Sequence, residues 1–152
     1  MPVVEECVVV ARPPQEVFDF LAKFENLSVY DAFVTKSGPV GTVPPGLGTR
    51  GWGTTRFMGR EFDWMVEFTE FEPPRRMVSR SVGGERDLTA TFMLEPNGGG
   101  TRVTERLVTG SMGGLLGKLP DPLVNRLLGR SLRRNLKTLT RVVEERPRPD
   151  GP

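Results

Sequence analysis

The sequence predicts an α+β domain in which a strongly curved antiparallel sheet of about seven strands wraps around a long C-terminal helix. Three observations carry this reading. Between Val34 and Gly110, six runs of strand length are separated by turn signals. Beyond Gly117 a helical period takes over, with Leu128, Leu132, Leu136, Leu139 and Val143 at steps of four, four, three and four. Ahead of both, a valine-rich run gives way within a few residues to a segment of helical period.

The elements follow in order. Val3 to Ala11 reads as a strand closed by Arg12-Pro13-Pro14. From Pro14 to Lys23, Val17, Phe18 and Leu21 fall on one helical face. Pro14 suits a first turn, and Glu16 and Asp19 suit the positive end of a helix. A second short helix is expected over Glu25 to Ala32. The β region is cut at Ser37-Gly38-Pro39, Pro44-Pro45-Gly46, Met58-Gly59, Glu72-Pro73-Pro74, Gly83-Gly84 and Asn97-Gly98-Gly99-Gly100, with Gly41 to Gly48 as a longer loop. Such spacing makes a meander. In the fifth of these strands Leu88, Ala90, Phe92 and Leu94 alternate with Thr89, Thr91 and Met93, which predicts one buried and one mostly wet face. Asp121 is the expected N-cap of the last helix and Pro122 its first residue; Leu123 and Leu127 extend the apolar stripe toward the N-terminus. At about 25 residues the helix is roughly 37 Å long, enough to cross a seven-stranded sheet. Laying it over the concave face is the economical packing.

A chain of 152 residues is one ordinary domain, taken as residues 2–146, followed by a Pro-rich tail over 147–152 expected to be disordered. With 37% hydrophobic residues and 18 glycines, it has the composition of a folded globule. Histidine is absent, which excludes Ser-His-Asp and Cys-His nucleophilic machinery, histidine bases and His-ligated metals. The lone Cys7 excludes an internal disulfide and any all-cysteine zinc site, and in its valine-rich strand it reads as a buried small hydrophobe. No metal or cofactor is implied. The Gly83-Gly84 and Gly98-Gly99-Gly100 runs lie between strands, as turns and not phosphate cradles. With no apolar run of membrane-spanning length and no signal-like start, the expected location is cytoplasmic.

Particular stretches resemble a known family. Val10-Ala11-Arg12-Pro13-Pro14-Gln15-Glu16-Val17-Phe18-Asp19-Phe20-Leu21 is similar to the strand-to-helix signature of the bacterial polyketide cyclase/dehydrase and lipid-transport branch of the START-like (SRPBCC) superfamily. Glu70-Phe71-Glu72-Pro73-Pro74-Arg75-Arg76 resembles its fourth turn, Gly99-Gly100-Thr101-Arg102-Val103-Thr104-Glu105 the start of its last strand, and Pro122 to Leu139 its closing helix. The resemblance implies the helix-grip fold and a cavity between sheet and closing helix, capped by the small helices and the Gly41–Gly48 loop. The implied ligand is a small hydrophobic or aromatic molecule, lipid or polyketide-like. These motifs are turns and packing positions, so they speak for the fold more than for an activity.

The candidate ligand-binding walls are Trp52, Phe62, Trp64, Phe68 and Phe92, faced from the helical side by Leu115, Leu116, Leu128 and Leu132; the alternative is an ordinary filled core. On the last strand Val103, Glu105, Leu107 and Thr109 share a face, so an inward Val103 and Leu107 bring Glu105 inward with them. Glu6 stands in the same relation to Val4, Val8 and Val10 on the first strand. A carboxylate against an apolar wall has a raised pKa and can act as general acid or base. Glu105 is the tentative catalytic residue; the alternatives are a polar anchor, an ion pair with Arg80 or Arg56, or a solvent-facing register. Tyr30, the only tyrosine, and Asp31 end the second short helix near the expected mouth, where Tyr30 can anchor a ligand or simply pack. Two functional classes follow: a carrier or binding module, and a cyclase or aromatase-like enzyme acting by positioning and a carboxylate.

The small net charge of +2 is unevenly spread. Residues 1–117 carry 12 basic and 15 acidic side chains, residues 118–152 carry 9 and 4. Arg126, Arg130, Arg133, Arg134, Lys137 and Arg141 form a ridge opposite the leucine stripe. It lacks the interleaved aromatics of a nucleic-acid surface, so no nucleic-acid partner is expected. It reads as a solvated outer face or, alternatively, as a site of transient membrane-surface contact.

Overall fold

The first strand, β1 (Val3–Val10), leads through Arg12-Pro13 into α1 (Pro14–Ala22), a 3-10 turn (Phe24–Asn26) and α2 (Leu27–Tyr30). The helix expected over Glu25 to Ala32 is thus divided. Asn26 folds its side-chain amide back onto the Phe20 carbonyl at 2.9 Å, and a tight 3-10 turn replaces the start of the helix. Then come β2 (Val34–Pro39), β3 (Arg50–Phe57), β4 (Arg60–Glu72), β5 (Arg76–Ser81), β6 (Leu88–Asn97), β7 (Gly100–Thr109) and α3 (Asp121–Glu144). The structure is a computed structural model describing residues 3–57, 59–83, 87–109 and 120–147; the expected tail beyond Pro147 lies outside them. The seven strands form one antiparallel sheet in the order β1-β7-β6-β5-β4-β3-β2, so the N-terminal helices bridge its two edge strands. This is the helix-grip α+β architecture.

Register decides which side chains face inward. Glu6 pairs with Glu105 and Glu105 with Phe92; Leu107 pairs with Ala90, and Met77 with Phe92. All of these lie on the concave face, since paired residues share a side. On β4, Phe62, Trp64, Val66 and Phe68 point inward until a bulge between Phe68 and Glu70 adds one residue. The added residue changes the parity, and Phe71 also reaches the core, edge-on to Phe18 with ring centroids 5.2 Å apart. Two glycines of β3 make room for large neighbours. A Cβ on Gly51 would overlap the Phe24 ring, and one on Gly53 would overlap the Trp64 indole. The convex face is not mostly wet in its middle, because Val78 and Thr91, neighbours in register, are both buried there.

Helix α3 lies over β1, approaching closely enough at Gly129 for its Cβ position to be 3.6 Å from Val4 and Glu6. Its inward side is Val124, Leu128, Ser131, Leu132, Asn135, Leu136, Leu139 and Val143. Leu123 and Leu127, expected in the stripe, are each 40% exposed; they sit one helical step, about 100°, from Val124 and Leu128 and fall off the buried face. Pro120 occupies the N-cap position, so Asp121 is the first helical residue and Pro122 the second. The C-terminal end is tied down by Arg12, only 7% exposed, which donates to the Glu144 and Arg146 carbonyls (2.6 and 2.9 Å) and to the Glu16 carboxylate (2.8 Å). Glu144 in turn accepts from the Ala11 N–H. Carbonyls that a helix end leaves unpaired are thereby satisfied. Cys7 is exposed on the outer side of β1, not buried, because strand alternation gives the inner positions to Glu6 and Val8.

Candidate functional site

Between the concave face and α3 lies a partly open cavity of about 970 Å³. Its wall is mainly apolar. The N-terminal helices contribute Leu21, Phe24, Leu27 and Tyr30; the sheet contributes Phe62, Trp64, Val66, Phe68, Met77, Ala90, Phe92 and Leu107; and α3 contributes Leu128 and Leu132. Trp64, Phe68, Phe92, Leu107, Leu128 and Leu132 are therefore brought together. Trp64 is fixed over Gly53 by its indole N–H, which donates to Thr55 Oγ1 at 2.9 Å. Leu115 and Leu116 lie outside the described residues. Trp52 also borders the cavity, but it pairs in register with Gly38 and Met65, its ring rests on Gly38 on the convex face, and it stays 38% exposed. An aromatic in an alternating strand has two faces to choose from, and local sequence does not say which is concave. The Gly41–Gly48 loop contributes no lining residue.

Part of the wall is polar. Glu105 on β7 points into the cavity between Leu107 and Val103, and among the described residues no hydrogen bond or ion pair engages its carboxyl. The expected partners are elsewhere: Arg80 approaches Asp87 at 3.9 Å, and Arg56 lies on the convex side. Removal from water raises the Glu105 pKa from 4.5 to about 8, and the nearby Asp31 carboxylate adds to the rise. Asp31, capping α2, is itself raised, chiefly by burial. Hydrogen bonds from the Phe33 and Val34 N–H groups and the Asn135 amide, with the charge of Arg134, oppose that rise. Tyr30 is 5% exposed, within the wall and not at the mouth. Its phenol is pushed well above 10, first by desolvation and then by Glu105 and Asp31. Its ring packs at 6.2 Å from Phe20, and no hydrogen bond among the described residues reaches its hydroxyl. The buried Thr109 hydroxyl also lacks a partner among the described residues.

Glu6 faces inward like Glu105, directly opposite it in register, but the closing helix answers it. Arg133 donates to Glu6 Oε1 at 2.6 Å, so Glu6 is an ion-pair residue under α3 and not a cavity group. Arg134 lies over the Phe33 ring, 5.3 Å from its centroid, and both it and Arg133 stay exposed alongside Arg126, Arg130, Lys137 and Arg141. Asn135 and Ser131 are polar side chains that the sequence reading passed over. Their signal was present, as polar residues interrupting the buried side of an otherwise leucine-rich helix.

A family profile described as polyketide cyclase / dehydrase and lipid transport matches residues 1–144. The chain belongs to that family. No curated protein matches it. Among solved structures it is similar to the TTHA0849 protein from Thermus thermophilus, at 26% identity and a TM-score of 0.79, covering 93% of this chain and 97% of that one. It is similar to a START superfamily protein from Mycobacterium smegmatis (16% identity, TM-score 0.78, 94% and 97% covered). It also resembles the Zhui aromatase/cyclase from a Streptomyces species (20% identity, TM-score 0.69, 98% and 97% covered). The latter two likenesses concern the fold. Among the described residues no helix is long and apolar enough to cross a membrane.

Proposed function

We propose that this family member binds a small hydrophobic or aromatic molecule, lipid or polyketide-like, in the cavity between sheet and α3. The observation that carries this reading is the cavity itself, about 970 Å³ with a mainly apolar wall that includes polar groups at Tyr30, Asp31 and Glu105. Apolar surface left facing a void forgoes the contacts it would have in a filled core, and an apolar ligand restores them. Trp64, Phe68, Phe92, Leu107, Leu128 and Leu132 form the walls, and Glu105 and Tyr30 orient the ligand. The test is titration with the neutral fluorophore N-phenyl-1-naphthylamine. Saturable one-to-one binding is expected, lost in Ala90→Phe, which fills the cavity from β6, while that variant melts as cooperatively as the parent. Undiminished binding by the filled variant refutes the reading.

A second reading, cyclase or aromatase-like catalysis, draws on one further observation. Glu105 holds its proton to about pH 8 within an apolar wall, beside a phenol that feels its charge, and a carboxyl so poised can donate or accept a proton near neutrality. On this reading the wall folds a poly-β-ketone chain and Glu105 moves the proton at the enolising carbon. Glu105→Gln then abolishes turnover of such a chain and leaves its affinity nearly unchanged; retained turnover rejects the role.

A further inference from the structure

We infer that the cavity takes its apolar ligand through a protonated amine, with the Glu105 and Asp31 carboxylates as counter-charges and the Tyr30 hydroxyl as an additional acceptor. This rests on the reading of the cavity as a ligand site and names the class of ligand. The first support is the sign of the wall. Of the five charged residues that line the cavity among the described residues, four are acidic, Asp31, Asp63, Asp87 and Glu105. Lys36 borders it only from the convex face, in the register row of Thr54 and Asp63, and Asp87 at the rim is drawn to Arg80. The second is how the nearby cations are used. Arg133 is committed to Glu6 at 2.6 Å, whereas Glu105, opposite Glu6 on the next strand, has no cation of its own. The third is Tyr30, buried in the wall, with no hydrogen bond to its hydroxyl among the described residues. A ligand carboxylate would face the Asp31 carboxylate, and Glu105 once it ionises, in a medium that screens them poorly; an ammonium would draw Glu105 into its charged form and meet opposite charges, with Tyr30 as a further acceptor.

The groups around Glu105 settle the pH dependence. Asp31 and Tyr30 face it from α2, β6 presents only Ala90 and Phe92, Glu6 on β1 is neutralised by Arg133, and α3 offers Asn135 and Arg134, the latter acting on Asp31. The free protein keeps Glu105 protonated up to about pH 8. A bound ammonium favours the carboxylate, so below that pH binding releases the Glu105 proton to solvent and affinity rises with pH.

The test displaces N-phenyl-1-naphthylamine from the full-length protein with n-decylamine, n-decanol or n-decanoate between pH 6 and 9, where the amine stays protonated. Decylamine should bind at least about tenfold tighter than decanoate at pH 8, and its affinity should grow by roughly fiftyfold between pH 6 and 8 and then level. Decanol should be insensitive to pH. In Glu105→Gln the rise should vanish. Calorimetry of the unmodified protein in two buffers of different ionisation enthalpy should show close to one proton released per amine at pH 7, a readout independent of the variant's folding. Equal or tighter binding of decanoate, or an amine affinity flat in pH without proton release, overturns the amine inference while leaving the cavity reading standing. Failure of the fluorophore itself to bind overturns both.

Discussion

Replacing Glu105 by Gln should make the protein more stable at alkaline pH and leave it unchanged in acid. In the native state the carboxyl sits in a mainly apolar wall without a partner among the described residues, and its pKa is about 8 against the ordinary 4.5. Below pH 4.5 both native and unfolded chains carry the proton, and Gln, the neutral shape mimic, gains nothing. Above 4.5 the unfolded chain ionises while the native chain does not, which favours unfolding by about 1.4 kcal/mol per pH unit until the native group ionises near pH 8. Over that interval the sum is at most about 5 kcal/mol. Urea unfolding of both proteins from pH 4.5 to 9 measures it. Curves of stability against pH that diverge from about pH 5 and run parallel above pH 8, with Gln the more stable, are expected. A gain for Gln that is the same at every pH, or absent at pH 8.5, refutes the buried, unpaired placement of Glu105.

The remaining predictions concern the frame and the walls. Gly53→Ala should drive the Trp64 indole off Thr55 and cost about 1–3 kcal/mol, read by thermal melting and a red shift of tryptophan emission. Arg12→Ala strips the donor from two carbonyls at the end of α3 and the ion pair from Glu16 of α1, so amide exchange over residues 140–146 should accelerate and stability fall by roughly 1–3 kcal/mol; unchanged exchange argues against the latch. Trp64→Ala should weaken fluorophore binding several-fold while Trp52→Ala leaves it untouched, the reverse of what a concave Trp52 requires. Cys7 should react with a thiol reagent in the native protein at a rate close to that of the unfolded chain.

The sequence by itself determined the number and order of elements, because each rests on a local signal. Alternation marks a strand and a 3.6-residue period a helix, and Pro and Gly mark where one stops. It also placed Glu105 correctly relative to Val103 and Leu107, since residues two apart on a strand must share a face. What it left undecided was which face is concave, and which groups meet there. Trp52 and Trp64 sit in equally aromatic strands, and only register and the space above Gly53 put Trp64 on the concave face and Trp52 on the convex one. Glu6 and Glu105 occupy the same kind of position on neighbouring strands, and only the path of α3 gives Arg133 to the first and leaves the second without a cation. The convergence of Tyr30, Asp31 and Asn135 on Glu105 joins residues about a hundred positions apart in the chain. Desolvation is a property of the assembled cavity, so no segment read alone carries the signal that gives this carboxyl its proton at neutral pH.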